Sequence, residues 1–185
     1  MLSSRADPDL RRIAWQVKGA DMGPASQRAG ETAVAGVIAR PPFLYLACLV
    51  LGVALDRLLP LPLTFPEVTL VRWTAGGGLI AVGLAIMAAG IRNFSHAATP
   101  VSSNRPVRAL VTTGIHGWSR NPTYVGMFLL YAGIGLAARS PWVLILALPL
   151  VIVLRYGVVA REEAYLERRF GDAYRDYKAR VRRWL

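Results

Sequence analysis

Two polar clusters flank a pair of apolar runs, and their side chains are of the kinds that hold a charged ligand and move a proton. The first is Gly114-Ile115-His116-Gly117-Trp118-Ser119-Arg120-Asn121-Pro122-Thr123-Tyr124-Val125-Gly126. Pro122 suits the first turn of a helix, where its missing N–H loses nothing. The loop before it is therefore placed at a helix N-terminus, where free backbone N–H groups favour an anion. Arg120 adds a permanent planar cation that can fork onto a carboxylate. Asn121 can hydrogen-bond a ligand but cannot titrate. The second cluster is Arg161-Glu162-Glu163-Ala164-Tyr165-Leu166, followed by Phe170-Gly171, Tyr174 and Tyr177. Its paired carboxylates can receive an ammonium or a hydroxyl, or take a proton from an amine nucleophile. Taken alone, this cluster is a charged exit from a helix; across a shared hairpin from Arg120 it becomes half of a site.

That hairpin belongs to a membrane protein. Four apolar runs stand out, Phe43–Leu63, Trp73–Ile91, Thr123–Ala138 and Pro141–Ala160, in a chain of 185 residues that is 54% hydrophobic. About 20 apolar residues cross a bilayer as a helix, and about 17 is near the lower limit. Only Trp73–Ile91 meets this without a charge; the first run holds Asp56 and Arg57, the third is short, and the fourth holds Arg155. The runs lack the alternating faces of a soluble bundle. Arg139-Ser140-Pro141 leaves room only for a tight turn, so the last two runs form an antiparallel hairpin. Its open ends, near Tyr124 and Val159, meet at one water–lipid interface. Glu162 and Glu163 fall at headgroup level there, a wet setting, and Arg155, seven residues before Glu162, shares its face if the helix continues.

The net charge of +11 follows the same plan. Residues 1–42 carry six basic residues, Arg92–Asn121 four, and the segment from Arg155 onward nine, while Arg57, Arg72 and Arg139 flank the other connections. Basic residues that flank spans, with no continuous stripe, argue against nucleic acid. They predict that both termini and the central loop are cytoplasmic, with anionic membrane lipids as partners. Cys48 is the only cysteine and has no internal partner, so it says nothing of redox compartment. No metal site is expected.

Residues 1–40 form a basic leader, expected to be largely mobile, with a short surface helix near Leu10–Val17; the first apolar run begins only at Phe43, so no cleavable signal is expected. Pro41-Pro42 opens the first span, and Pro60, Pro62 and Pro66 keep the next connection extended. Gly76, Gly83 and Gly90 recur every seven residues, a face that lets another helix approach closely. Gly133-Ile134-Gly135-Leu136-Ala137-Ala138 fits a dinucleotide fingerprint in letters only; it lies inside an apolar helix with no strand before it, and is read as packing glycine. After Arg161, Leu166, Phe170, Ala173, Tyr177, Val181 and Trp184 step by three or four, which predicts an amphipathic surface helix interrupted near Gly171. The fold class is all-α: a polytopic membrane protein with about four transmembrane helices and that C-terminal helix, residues 41–185 forming a single domain.

The segment Leu110–Tyr177 resembles the isoprenylcysteine carboxyl methyltransferase family and its phospholipid-methylating relatives, in a bacterial-type form. The matching residues are Arg120, Pro122, Tyr124 and Gly126 in the first cluster, with Leu110-Val111-Thr112-Thr113-Gly114 and Trp118 before them. In the second they are Glu162, Glu163, Leu166, Phe170-Gly171, Tyr174 and Tyr177. Ala98-Thr99-Pro100-Val101 through Pro106-Val107 resembles the connector into the signature. Asn121 stands where the isoprenylcysteine branch has His, so proton handling at that place does not carry over; His116 is the imidazole that could replace it.

The resemblance implies an integral-membrane methyltransferase of a bacterial inner membrane that uses S-adenosylmethionine, bound within residues 110–177. It implies cofactor contacts from His116, Arg120, Asn121, Pro122, Tyr124, Gly126, Glu162 and Glu163, with Arg120 and Glu163 in catalytic roles. The acceptor is a lipophilic or lipid-modified substrate, most like isoprenylcysteine carboxyl O-methylation. A carboxylate acceptor needs no base, whereas an amine of a phospholipid would call on Glu163 or Glu162. The alternatives are that lipid amine N-methyltransferase, and a non-catalytic membrane scaffold that keeps the hairpin.

Overall fold

Proline starts three of the four apolar helices, as its fixed φ and absent N–H dictate. These are α1 (Pro41–Leu58), α3 (Pro122–Ala137) and α4 (Pro141–Val153). The fourth, α2 (Thr69–His96), is the longest at 28 residues. The structure is a computed structural model that describes residues 36–62, 69–97, 107 and 109–185. The expected helix near Leu10–Val17, residues 1–35 of the leader, Pro66 and the connector Ala98–Pro106 lie outside the described residues. Among the described residues there is no strand, only an isolated bridge between Ser119 and Arg182.

Three helices are long and apolar enough to cross a membrane: α1, α2 and the rod Pro141–Phe170. The remaining apolar helix, α3, has 16 residues, about 24 Å at 1.5 Å per residue, short of the roughly 30 Å hydrocarbon core. The rod is continuous. It runs through α4, a π-helical stretch (Leu154–Val159) and α5 (Ala160–Phe170) without a break. The first half of the amphipathic segment is thus an extension of the last span. The division comes at Gly171, whose φ of +53° suits a residue without Cβ, and α6 (Asp172–Arg180) follows.

The π stretch alters which residues share a face. In an unbroken α-helix Arg155 and Glu162 would align; here Arg155 is exposed, its guanidinium 5.6 Å from the Tyr156 ring, while Glu162 lines a cavity. The wider winding leaves a carbonyl for outside donors, and Ile38 N–H donates to Gly157 O at 3.3 Å. Arg161 Nη1 donates to Gly36 O at 3.0 Å, so the end of the leader packs where the π stretch meets α5.

The heptad glycines of α2 do what their spacing predicts. A Cβ on Gly76 would come within 3.0 Å of Gly133 O, and one on Gly83 within 2.6 Å of Gly126 O. Gly90 faces Thr123 in the same row. Gly133 of the apparent dinucleotide fingerprint is thereby accounted for as helix packing. In lipid such close approach is what dispersion contacts require. Gly83→Val is therefore expected to part α2 from α3 and lower stability by about 1–3 kcal/mol, seen as a lower melting temperature in detergent. Gly77→Ala, which points into open space, should melt as the wild type; equal melting of both variants would overturn the packing account.

Several polar groups at the far end of the bundle pair with one another, as a low-dielectric setting favours. Ser140 caps α4 by accepting from Val143 N–H at 3.1 Å and donates its hydroxyl to Asp56 of α1. Trp142 Nε1 donates to Leu59 O at 2.7 Å. Tyr131 O–H donates to Val143 O at 2.8 Å in the core, which Tyr45, Met127, Leu150, Leu154 and Val158 complete.

Candidate active site

At the other end, the loop before α3 is shaped by one glycine. Gly114 takes φ +59°, and a Cβ there would lie 2.6 Å from Asn93 Nδ2. Asn93, near the end of α2, donates to Thr113 O at 2.8 Å and stands 3.3 Å from His116 Nδ1. The amide N–H facing Nδ1 assigns the proton of a neutral ring to Nε2. Burial holds the His116 pKa down at about 4, so the ring is neutral at cellular pH. Its Nε2 is buried with no protein partner, and Phe94 meets the ring edge-on at 4.8 Å.

The loop, the start of α3, α5 and α6 enclose a cavity with an empty volume of about 940 Å³ including its open mouth. His116, Arg120, Asn121, Pro122, Tyr124, Glu162 and Glu163 all line it, so seven of the sequence-predicted site residues converge. Phe94, Leu110, Val111 and Leu166 supply apolar wall. Gly126 is the exception and is a correction to the expected cofactor set. It faces α2, where a Cβ would meet Gly83 O at 2.6 Å, so its smallness serves helix packing.

Glu163 is the second correction. In place of a wet headgroup setting it is 6% exposed, clamped by two guanidiniums. Arg120 Nη2 reaches its Oε1 at 3.2 Å, while Arg183 donates Nε to Oε1 at 3.0 Å and Nη2 to Oε2 at 2.7 Å. Arg120 is left with Nε and Nη1 buried and without a partner, in a side chain 8% exposed. An orphaned buried guanidinium donor is costly unless a ligand takes it. Glu162 is the more open of the two acids and accepts from the Tyr124 hydroxyl at 2.8 Å.

Tyrosines set the floor. Tyr177 donates to His116 O at 2.7 Å, Tyr165 accepts from Val107 N–H at 3.2 Å, and Tyr174 packs edge-on against Tyr177. Burial pushes the Tyr177 hydroxyl up to about 12 and raises that of Tyr174, the Glu163 charge adding to the latter, so both stay protonated. The amphipathic stripe traced from Leu166 and Phe170 found Tyr177 but not Tyr165 or Tyr174. Tyrosine breaks a purely apolar period because its hydroxyl needs a partner.

The C-terminal tail was also not foreseen. Beyond α6 it turns back beside the loop: Arg120 N–H donates to Arg182 O at 2.9 Å, and Asn121 Nδ2 and Ser119 Oγ donate to Arg183 O at 3.1 and 3.4 Å. Asn121 therefore lines the cavity while spending one donor on the tail. The only sequence signal was the surplus of arginine there. Among the described residues no cluster of His, Cys, Asp or Glu could hold a metal.

These elements match known proteins. Residues 71–173 match the family model described as phospholipid methyltransferase. A protein-S-isoprenylcysteine O-methyltransferase of Rattus norvegicus is 31% identical over 124 residues, 63% of this chain and 43% of that protein. One of Schizosaccharomyces pombe is 35% identical over 91 residues, 49% of this chain and 37% of that protein. An uncharacterized protein of Haemophilus influenzae is 57% identical over 35 residues, 19% of this chain and 56% of that protein. The chain thus spans less than half the length of the two methyltransferases. No solved structure matches it significantly. The matched segment runs from α2 through the Arg120 loop and the hairpin to α6 and takes in most of the cavity wall, and on that match the chain belongs to the phospholipid methyltransferase family.

Proposed function

We propose that this protein is an integral-membrane methyltransferase that draws on S-adenosylmethionine and methylates the carboxylate of a lipophilic or lipid-modified acceptor, as in isoprenylcysteine carboxyl O-methylation. The observation that carries this reading is the pair of unpartnered, buried Arg120 donors in a cavity walled on one side by apolar groups. S-Adenosylmethionine supplies an electrophilic sulfonium methyl when bound. Arg120 would hold its carboxylate, Glu162 its ammonium or ribose hydroxyls, and the wall of Phe94, Leu110 and Val111 its adenine. His116 Nε2–H remains as a neutral donor for a further acceptor atom.

The chain's contribution to the reaction is then positioning and exclusion of water. A carboxylate acceptor is already a nucleophile and needs no base. Glu163, committed to two arginines, serves to hold Arg120 in place, which differs from the proton-taking role its position in the sequence suggests. The family description favours a second reading, methylation of a phospholipid amine. Glu162, which lines the cavity beside the Tyr124 hydroxyl, would then be the base. The site lies at the end of the bundle where the basic segments gather, so it would face the cytoplasm of a bacterial cell, with anionic lipids beside it.

Labelled S-adenosylmethionine, offered to the full chain in nanodiscs with prenylcysteine or phosphatidylethanolamine, tests both readings. The expected product is a prenylcysteine methyl ester that alkali releases as methanol. Alkali-stable label on the phospholipid amine would instead select the second reading. No binding of S-adenosylmethionine or S-adenosylhomocysteine by calorimetry would sink both and leave the scaffold.

A further inference from the structure

Arg183 lies six residues beyond Tyr177, the last residue of the second cluster, and its side chain meets the cavity wall at Glu163. The backbone bonds from Arg120, Asn121 and Ser119 to the carbonyls of Arg182 and Arg183 fix where its side chain starts. From there its fork takes both oxygens of Glu163, at 3.0 and 2.7 Å, and leaves Arg120 one contact with that carboxylate, through Nη2 at 3.2 Å. We propose that Arg183 is a positioning residue that saturates Glu163, and so keeps the Nε and Nη1 donors of Arg120 available for the carboxylate of the methyl donor. This rests on the proposed function.

Charge and geometry lead to the same place. With two arginines on one carboxylate the cluster keeps one net positive charge, which an anionic group can neutralise. Without Arg183, Arg120 and Glu163 cancel, and the open carboxylate offers a second oxygen to the Arg120 fork. A buried carboxylate beside a lone arginine favours that bidentate pairing, which would turn inward the donors a ligand needs. Arg183 thus acts on ligand affinity without touching the ligand, and Glu163 becomes inhibitory once Arg183 is gone.

The test uses the full chain in nanodiscs and two probes, S-adenosylhomocysteine and its decarboxylated analogue. Arg183→Met is expected to weaken S-adenosylhomocysteine about tenfold, the loss of one charge-assisted contact, and to leave the decarboxylated probe within about twofold. In turnover it should raise KM for the methyl donor and spare kcat. Arg183→Lys should fall between. The double variant Arg183→Met with Glu163→Gln should recover most of the lost affinity, because a neutral amide no longer competes for Arg120. Equal weakening of both probes, unchanged affinity in Arg183→Met, or a double variant weaker than the single would overturn the proposal. Should Arg183→Met not fold, the Lys variant and the double variant carry the same comparison. Wild-type protein that binds neither probe would overturn the proposed function itself, and this inference with it.

Discussion

Arg120→Lys is expected to weaken S-adenosylhomocysteine binding about tenfold to a hundredfold, although charge is conserved. Arg120 divides its planar fork between two tasks: Nη2 holds Glu163 at 3.2 Å, while Nε and Nη1 remain buried and unpartnered. An ammonium is a compact point charge that cannot face both directions in fixed geometry. Losing a charge-assisted hydrogen bond of this kind costs roughly 1.5–3 kcal/mol, which sets the size of the affinity loss. The turnover defect should appear chiefly in KM for the methyl donor. Arg168→Lys, on an exposed position of α5, serves as the control and should change little. Wild-type affinity in Arg120→Lys would remove Arg120 from the ligand and leave it as a partner of Glu163 alone.

Glu163→Gln is expected to act first on the fold. The carboxylate is the shared counter-ion of Arg120 and Arg183, whose side chains are 8% and 28% exposed. Removing it leaves two guanidiniums facing each other in a nearly dry pocket. Breaking a buried ion pair from one side costs roughly 3–5 kcal/mol, and the partial exposure of Arg183 places this case near about 3 kcal/mol. The melting temperature in detergent should fall, and saturating S-adenosylhomocysteine should restore part of the loss, because its carboxylate supplies the missing negative charge. The two variants therefore separate cleanly: Arg120→Lys weakens the ligand, while Glu163→Gln makes the ligand matter more for stability. A Glu163→Gln protein that melts as the wild type yet turns over far more slowly would restore Glu163 to the role of a base.

Linear order and local chemistry were enough for much of this molecule. Helix starts at Pro41, Pro122 and Pro141 follow from the fixed φ of proline, whatever the surrounding structure. The heptad of Gly76, Gly83 and Gly90 named a packing face because period seven keeps residues on one side of a helix, and in lipid small residues are what permit contact. The short turn Arg139-Ser140-Pro141 left no freedom except a hairpin, and so brought the Arg120 loop and the Glu162–Glu163 pair to the same end. Those are properties of spacing, and spacing is written in the chain.

What only the tertiary structure decided is how the charges are shared. Glu162 and Glu163 are adjacent and chemically alike, yet one accepts from Tyr124 and the other disappears between two arginines. The π-helical stretch at Leu154–Val159 rotates the end of the rod, and no periodicity rule locates such an extra-wide turn. Gly126 entered the expected cofactor set with the signature it shares with Tyr124, but two residues are about 200° of helix, enough to carry it from the cavity wall to the α2 interface. The Arg182–Arg183 tail reaches the site only because the chain turns back after Arg180 and pairs with Ser119 and Arg120. That contact joins residues more than 60 positions apart, and a buried counter-charge at such separation leaves no local pattern to read.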